Sequence, residues 1–208
     1  MKKNSPAYVI VFITIISLVF GAAISAVHYL SLPTLEKNER MLRNRSISRA
    51  FNLNVEPPAA DAFESAVSKE ISKKELKGPS GTMQLYIKNS EPRDIGFVFR
   101  GMGFWDEISG ILVLSPDLDT IKSVEILDQK ETPGLGARIA ESWFKEQFNS
   151  ILLDWKKPAD KRLLFGSETA NGKTINGITG ATQTTTAFQR ILNSELELFI
   201  QLYRSENQ

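Results

Sequence analysis

A chain of 208 residues with a formal net charge of +1 is long enough for one modest soluble domain and additional segments, and its balanced charge leaves no footprint for a nucleic-acid partner. It has no cysteine and a single histidine, His28. These absences exclude disulfides, thiolate zinc sites, cysteine-ligated iron–sulfur clusters, thiol nucleophiles, His-based triads and multi-histidine metal sites.

Residues 7–29 carry no acidic or basic side chain apart from His28, and this 23-residue run exceeds the roughly 20 residues a helix needs to cross a bilayer. Small residues at 23–26 offer a cleaved signal peptide as the alternative. The run is longer than the roughly 7–15 apolar residues of a signal core, so an uncleaved anchor is preferred. His28 reads as an interfacial residue. Lys2 and Lys3 precede the span, whereas Lys37, Arg40, Arg43, Arg45 and Arg49 follow it. By basic-residue count alone, the domain after the span would lie in the cytoplasm. Residues 35–51 are charge-rich and could continue the anchor as a juxtamembrane helix, their basic side chains facing solvent or anionic headgroups. Residues 52–60, with Pro57-Pro58, read as a linker. Residues 62–76 place Phe63, Val67 and Ile71 four apart, which predicts a short helix, and 77–81 read as a turn.

From residue 83 the texture changes. Residues 83–88 and 95–100 predict two strands, and 108–114 and 121–127 a second hairpin opened by Ser115-Pro116-Asp117. Residues 137–148 predict a helix with Ile139, Trp143, Phe144 and Phe148 along one side, and 163–165 a short strand. Residues 183–203 place Phe188, Ile191, Leu192, Leu196, Phe199, Leu202 and Tyr203 on one face of a final helix. The expected fold is α+β, an antiparallel sheet with packed helices, preceded by one N-terminal transmembrane helix. The expected organisation is a tail at 1–6, the anchor at 7–29, a juxtamembrane helical and linker region at 30–81, and a folded domain at 82–208.

Three runs carry candidate chemistry. Thr179-Gly180-Ala181-Thr182 lies where irregular chain turns into the last helix. Thr182 is then a simple N-cap, or the holder of an anion where helix amides are free and the dipole is positive. Glu131-Thr132-Pro133-Gly134-Leu135-Gly136 is a good turn, with Pro fixing φ and Gly allowing positive values. Gly101-Met102-Gly103-Phe104-Trp105 ends in an aromatic that is either core or a lid. Trp143 and Phe144 read as core, and Thr184-Thr185-Thr186 as helix surface with first-turn polar contacts. Asp106, Glu107, Glu141 and Glu146 read as solvated charges, giving no paired-carboxylate acid/base site. No catalytic residue and no metal site is expected. Electrons, if the chain handles them, need an organic carrier.

Together the three runs resemble the FMN-binding domain shared by the C subunit of Na⁺-translocating NADH:quinone reductase and the G subunit of the related Rnf complex. The resemblance runs from about residue 83 to the C-terminus. It implies FMN carried through a phosphoester on Thr182, the last Thr of the Ser/Thr-Gly-Ala-Thr motif, with Thr179, Gly180 and Ala181 shaping the attachment. It implies that the 131–136 run helps hold the flavin. In that reading Gly134 and Gly136 bring backbone amides near the ring, and Thr132 and Leu135 contact it. Glu131 orients the loop, binds ribityl hydroxyls or is a surface carboxylate. Trp105 would cover the flavin or the sheet edge.

The resemblance further implies a membrane-anchored relay subunit of an ion-translocating (Na⁺ or H⁺) oxidoreductase complex, not catalytic alone. The flavin domain would lie on the extracytoplasmic side of the inner membrane, opposite to the basic-residue count. Its partners would be the bilayer, other integral membrane subunits, and a flavin transferase using FAD. Relatives usually carry Asp where this chain has Asn176. That departure keeps open a membrane-tethered, non-redox binding or scaffold module; a stand-alone extracytoplasmic flavin reductase is a third reading.

Overall fold

The computed structural model describes residues 6–56, 59–79 and 81–206. Lys2, Lys3 and the Pro57-Pro58 pair lie outside them. The chain divides into two compact units, Met1–Arg40 and Met41–Gln208.

The described part of the first unit is helical throughout and belongs to α1, Pro6–Ala50. Its apolar side chains, from Val9 to Leu30, are almost all exposed, and the helix is long and apolar enough to cross a membrane. The Thr14 hydroxyl donates to the Ile10 carbonyl (2.9 Å), which satisfies a polar group within the apolar stretch. Pro33 sits inside the helix. The helix continues through residues 35–50.

The second unit is built on a six-stranded sheet in simple meander order: β1 Ile71–Gly78, β2 Gly81–Lys88, β3 Ile95–Met102, β4 Glu107–Leu114, β5 Thr120–Asp128 and β6 Ile151–Leu152. Every neighbouring pair is antiparallel. The last helix, α4 (Thr182–Glu206), packs on one face through Phe188, Ile191, Leu192, Leu196, Phe199 and Leu202. Phe199 stacks on Phe97 with ring centroids 4.7 Å apart, and Phe188 meets Phe99 edge-on at 5.7 Å. On the opposite face the last turns of α1 and the helix α2 (Ala60–Glu70) bury Ile47, Ala50, Phe51 and Val67 against Tyr86, Ile111 and Val113. The Ser123 hydroxyl donates to the Ala50 carbonyl (2.5 Å), tying the end of α1 to β5. The antiparallel α+β expectation therefore holds, with the sheet covered on both faces.

Several elements differ from the sequence reading. The helix expected at 62–76 ends at Glu70, and its remainder is β1. β1 buries only Ile71 and Leu76 and is otherwise exposed, so its Lys-rich sequence carries little strand pattern. The helix expected at 137–148 is three short pieces: a 3-10 turn at Gly136–Ala140, α3 at Ser142–Lys145, and another 3-10 turn at Glu146–Phe148. It breaks at Glu141, whose backbone is extended (φ −72, ψ 147). The strand expected at 163–165 is irregular chain held by α4 side chains. The Leu163 amide donates to Asn193 Oδ1 (2.9 Å) and the Phe165 amide to Gln189 Oε1 (2.8 Å).

Glu195 is half-buried on α4. Desolvation pushes its carboxyl up to about 7, against the opposing pull of Arg100. The folded-state value lies above the ordinary 4.5, so the unfolded chain ionises first. This group therefore makes stability fall as pH rises from about 4.5 to about 7. Glu195→Gln is expected to flatten that part of the profile. After allowance for screening at a half-exposed site, the gain at pH ~8 should be about 1–2 kcal/mol, with none at pH ~4, in urea unfolding of the detergent-solubilised protein.

Candidate functional site

Thr182 is the first residue of α4. The Ala181 carbonyl accepts the first helical hydrogen bond, from the Thr185 amide (2.9 Å), and the Ala181 amide donates to the Ile178 carbonyl (3.0 Å). Thr182 thus lies just inside the helix, with Ala181 in the N-cap position. The amides of Thr182, Gln183 and Thr184 have no acceptor within the helix and lie at its positive end. Thr179, Gly180 and Thr182 are exposed, whereas Ala181 is buried. Gly180 has φ +81, a left-handed conformation that favours glycine, and a Cβ on it would lie 3.3 Å from Leu135 Cδ2. The 179–182 turn and the 131–136 loop are therefore adjacent.

Glu131 is the join between these segments. It is 4 % exposed. Its Oε1 accepts the amides of Phe104 (2.9 Å) and Trp105 (3.0 Å), and its Oε2 accepts the Thr184 hydroxyl (2.6 Å). Its own amide donates to Gln129 Oε1 (2.8 Å). One buried carboxylate so connects the loop after β3, the 131–136 loop and the first turn of α4, and the surface-carboxylate reading is overturned. The neighbouring glycines serve this packing. A Cβ on Gly103 would lie 2.5 Å from Glu131 Oε1 and 2.9 Å from the Asp106 carbonyl, and one on Gly136 would collide with the Thr184 hydroxyl.

The Thr184-Thr185-Thr186 run also departs from a helix-surface reading. Thr184 and Thr185 are buried, and only Thr186 is exposed. The Thr185 hydroxyl accepts the Ile178 amide (3.1 Å), which pins the chain entering the helix. The first-turn polar contacts expected of this run are present, at Thr184 to Glu131 and at Thr185 to the Ile178 amide, but the sequence reading did not link Thr184 to the 131–136 loop. The one available signal was a spacing of two from Thr182. Upstream, the Gln147 side chain brackets the backbone of Asn176, accepting its amide (2.8 Å) and donating to its carbonyl (3.4 Å).

Around this junction the surface is apolar. Met102, Phe104, Trp105, Leu135 and Trp143 are all exposed large side chains. Trp105 is 65 % exposed and packs edge-on against Phe104 at 5.0 Å, so the core reading of this aromatic does not hold. Trp143 is likewise exposed, with the Arg138 guanidinium over its ring at 5.0 Å, while Phe144 is core. Thr132 and Gly134 are exposed, and the Thr132 carbonyl accepts the amides of Leu135 and Ala137 (3.1 Å each) to close the turn. Gly134 has φ +75 and open space where a Cβ would point. The rim carboxylates are paired. The Lys130 ammonium holds Asp106 below the usual carboxylate range, and the Trp143 indole and Arg138 do the same to Glu141. Clefts of about 450 and 410 Å³ lie elsewhere in the second unit, the smaller along α4 from Thr186 to Glu197.

The arrangement offers an exposed threonine beside free helix amides, a glycine turn that allows close approach, and exposed apolar side chains at Phe104, Trp105 and Leu135. These are the requirements of a group carrying both a phosphate and an aromatic system. The residues present fit FMN. The FMN-binding domain family matches residues 103–197, which contain the 103–105, 131–136 and 179–182 segments. The G subunit of the Na⁺-translocating ferredoxin:NAD⁺ oxidoreductase complex of Acetobacterium woodii is 26 % identical over 194 residues, covering 89 % of this chain and 87 % of that one. The C subunit of the Na⁺-translocating NADH-quinone reductase of Vibrio alginolyticus is 23 % identical over 128 residues, covering 60 % of this chain and 50 % of its own length. The chain thus spans about half of that relative. The crystal structure of the corresponding C subunit from Parabacteroides distasonis superposes with a TM-score of 0.68 at 20 % identity, covering 81 % of this chain and 94 % of that one. Residues 103–197 thus match the FMN-binding domain family. Across most of its length the chain is similar to G subunits of ion-translocating ferredoxin:NAD⁺ oxidoreductase complexes, and over a shorter stretch to C subunits of Na⁺-translocating NADH-quinone reductases.

Gly103→Ala is expected to displace Glu131 or the 103–106 turn, because two of the three atoms a Cβ would meet are the carboxylate and a backbone carbonyl. The expected loss is about 1–3 kcal/mol, read from thermal unfolding. Gly134→Ala has room for its side chain and is expected to cost about 1 kcal/mol, for its positive φ alone.

Proposed function

We propose that this chain is a membrane-anchored flavoprotein subunit that relays electrons through FMN esterified to Thr182, within an Rnf- or Nqr-type complex coupled to Na⁺ or H⁺ movement. The observation that carries the proposal is the exposed Thr182 hydroxyl at the start of α4, held beside the 131–136 loop. FMN would supply the redox chemistry, and the polypeptide would supply position and environment. Free amides at the helix start would hold the phosphate. Gly180 would let the backbone approach it, with Thr179 and Ala181 shaping the turn. Leu135, Trp105 and Thr132 would contact the ring, and the backbone at Gly134 and Gly136 would approach its edge. Glu131 belongs to the same cluster.

Thr182, Thr132, Leu135 and Trp105 are exposed, so a covalent bond would give the retention that burial does not. The apolar part of α1 is long and apolar enough for a membrane anchor, which we take to be uncleaved because the run exceeds the length of a signal core. We place the flavin domain on the extracytoplasmic side of the inner membrane, with the other membrane subunits of the complex as redox neighbours. Maturation would need a flavin transferase acting on the 176–182 segment, in which Asn176, Gly177, Thr179, Gly180 and Thr182 are exposed. Asn176 supports a second reading, a membrane-tethered module that keeps the fold and lacks the modification.

Intact-mass measurement on protein made with its native transferase tests these readings. The expected result is an added mass equal to FMN less one water, abolished in Thr182→Val and partly retained in Thr179→Ala. A colourless, unmodified native protein would reject the relay and leave the non-redox module. Flavinylated protein that purifies without other membrane subunits and reduces a small acceptor would point to a stand-alone reductase.

A further inference from the structure

We infer that Glu131 is a positioning residue: its buried carboxylate fixes the first turn of α4, and with it the Thr182 hydroxyl, against the 103–105 loop, without binding the cofactor itself. The inference rests on the proposed attachment at Thr182 and deepens it. Both carboxylate oxygens are engaged by the protein. Oε1 accepts two backbone amides, from Phe104 and Trp105, which fill its two lone pairs. Oε2 accepts the Thr184 hydroxyl in an environment only 4 % exposed. Oε2 keeps one lone pair, but the side chain is 4 % exposed, so a ribityl hydroxyl would reach it only by moving the chain that covers it.

Electrostatics argue the same way. A carboxylate near a helix N-terminus is favourable by itself, but it repels a phosphate brought to the same place. Its contribution to a phosphate site is therefore geometric. Thr184 lies two residues after Thr182 in the same helical turn, so the Thr184–Glu131 bond sets both the height and the rotation of the helix start. Gly103 and Gly136 complete the device. A Cβ at either position would lie within 3.0 Å of a Glu131 oxygen, so the carboxylate has one seat. The aromatic loop and the acceptor threonine are thereby registered to each other through a single side chain.

The test uses the full chain, produced with and without its flavin transferase, in wild-type form and as Glu131→Gln, Glu131→Ala, Thr184→Val and Thr184→Ser. Amide hydrogen exchange on the unmodified chain reads the clasp directly. Glu131→Ala should lower protection of the Phe104 and Trp105 amides by about tenfold, while β4 amides keep theirs. On chain made with the transferase, Glu131→Ala and Thr184→Val should each lower the flavinylated fraction by about fivefold or more. Glu131→Gln keeps an acceptor oxygen for the two amides and can still bond Thr184, so it should stay within about twofold of wild type, as should Thr184→Ser. Should Glu131→Ala unfold the domain throughout, the Thr184 pair decides by the same readouts. Unchanged exchange and flavin loading in Glu131→Ala and Thr184→Val would overturn the inference. So would Glu131→Gln losing as much flavin as Glu131→Ala, because the charge itself would then be the requirement. Wild-type chain that takes up no FMN would count against attachment at Thr182 alone, since the exchange arm is read on unmodified protein.

Discussion

The Glu131 carboxylate joins segments that lie far apart in the chain. Its three donors come from residues 26 and 27 positions upstream and 53 positions downstream. Burying such a group is costly unless its partners are in place, so the three loops are stable only as a set. The glycines around it, at 103 and 136, keep space for that set, and Thr184 closes it. Much of what looks like a cofactor motif in the linear sequence is, in this fold, the packing of one anionic side chain.

The rest of the domain supplies a rigid base for that junction. The meander sheet presents Phe97 and Phe99 to α4, and the helix returns Phe188 and Phe199. Further along, α4 uses Gln189 and Asn193 to fasten irregular chain at 163–165. The opposite face of the sheet is closed by the last turns of α1. The site's residues sit at the ends of these rigid pieces, where backbone amides are free and side chains reach solvent. That location fits a group which must be held in place yet remain accessible to a neighbour.

The central strands and the final helix were legible because their apolar residues repeat at spacings of two or of three and four. β1 was not, since an edge strand with two buried residues has no alternation to detect. The 136–148 stretch carries a helix-like set of apolar residues. Its backbone is broken at Glu141, where side-chain bonds to Arg138 and Trp143 accompany an extended conformation. In the candidate site, the order of motifs indicated which runs belong together. The means by which they are held was hidden, because the Thr184–Glu131 contact joins residues with no periodic relation. Exposure was hidden too. Trp105 resembles a core aromatic in sequence and is on the surface because its amide, and not its ring, is what the fold uses.

α4 follows every strand of the sheet among the described elements, and it carries the proposed acceptor hydroxyl. A ribosome finishes that helix only after every strand of the sheet has been made. The clasp at Thr184 cannot close before then. A maturation enzyme that recognises this geometry must therefore act after the strands have been made and α4 has docked on them. Covalent loading would then serve as a checkpoint, marking those copies in which the C-terminal helix has docked.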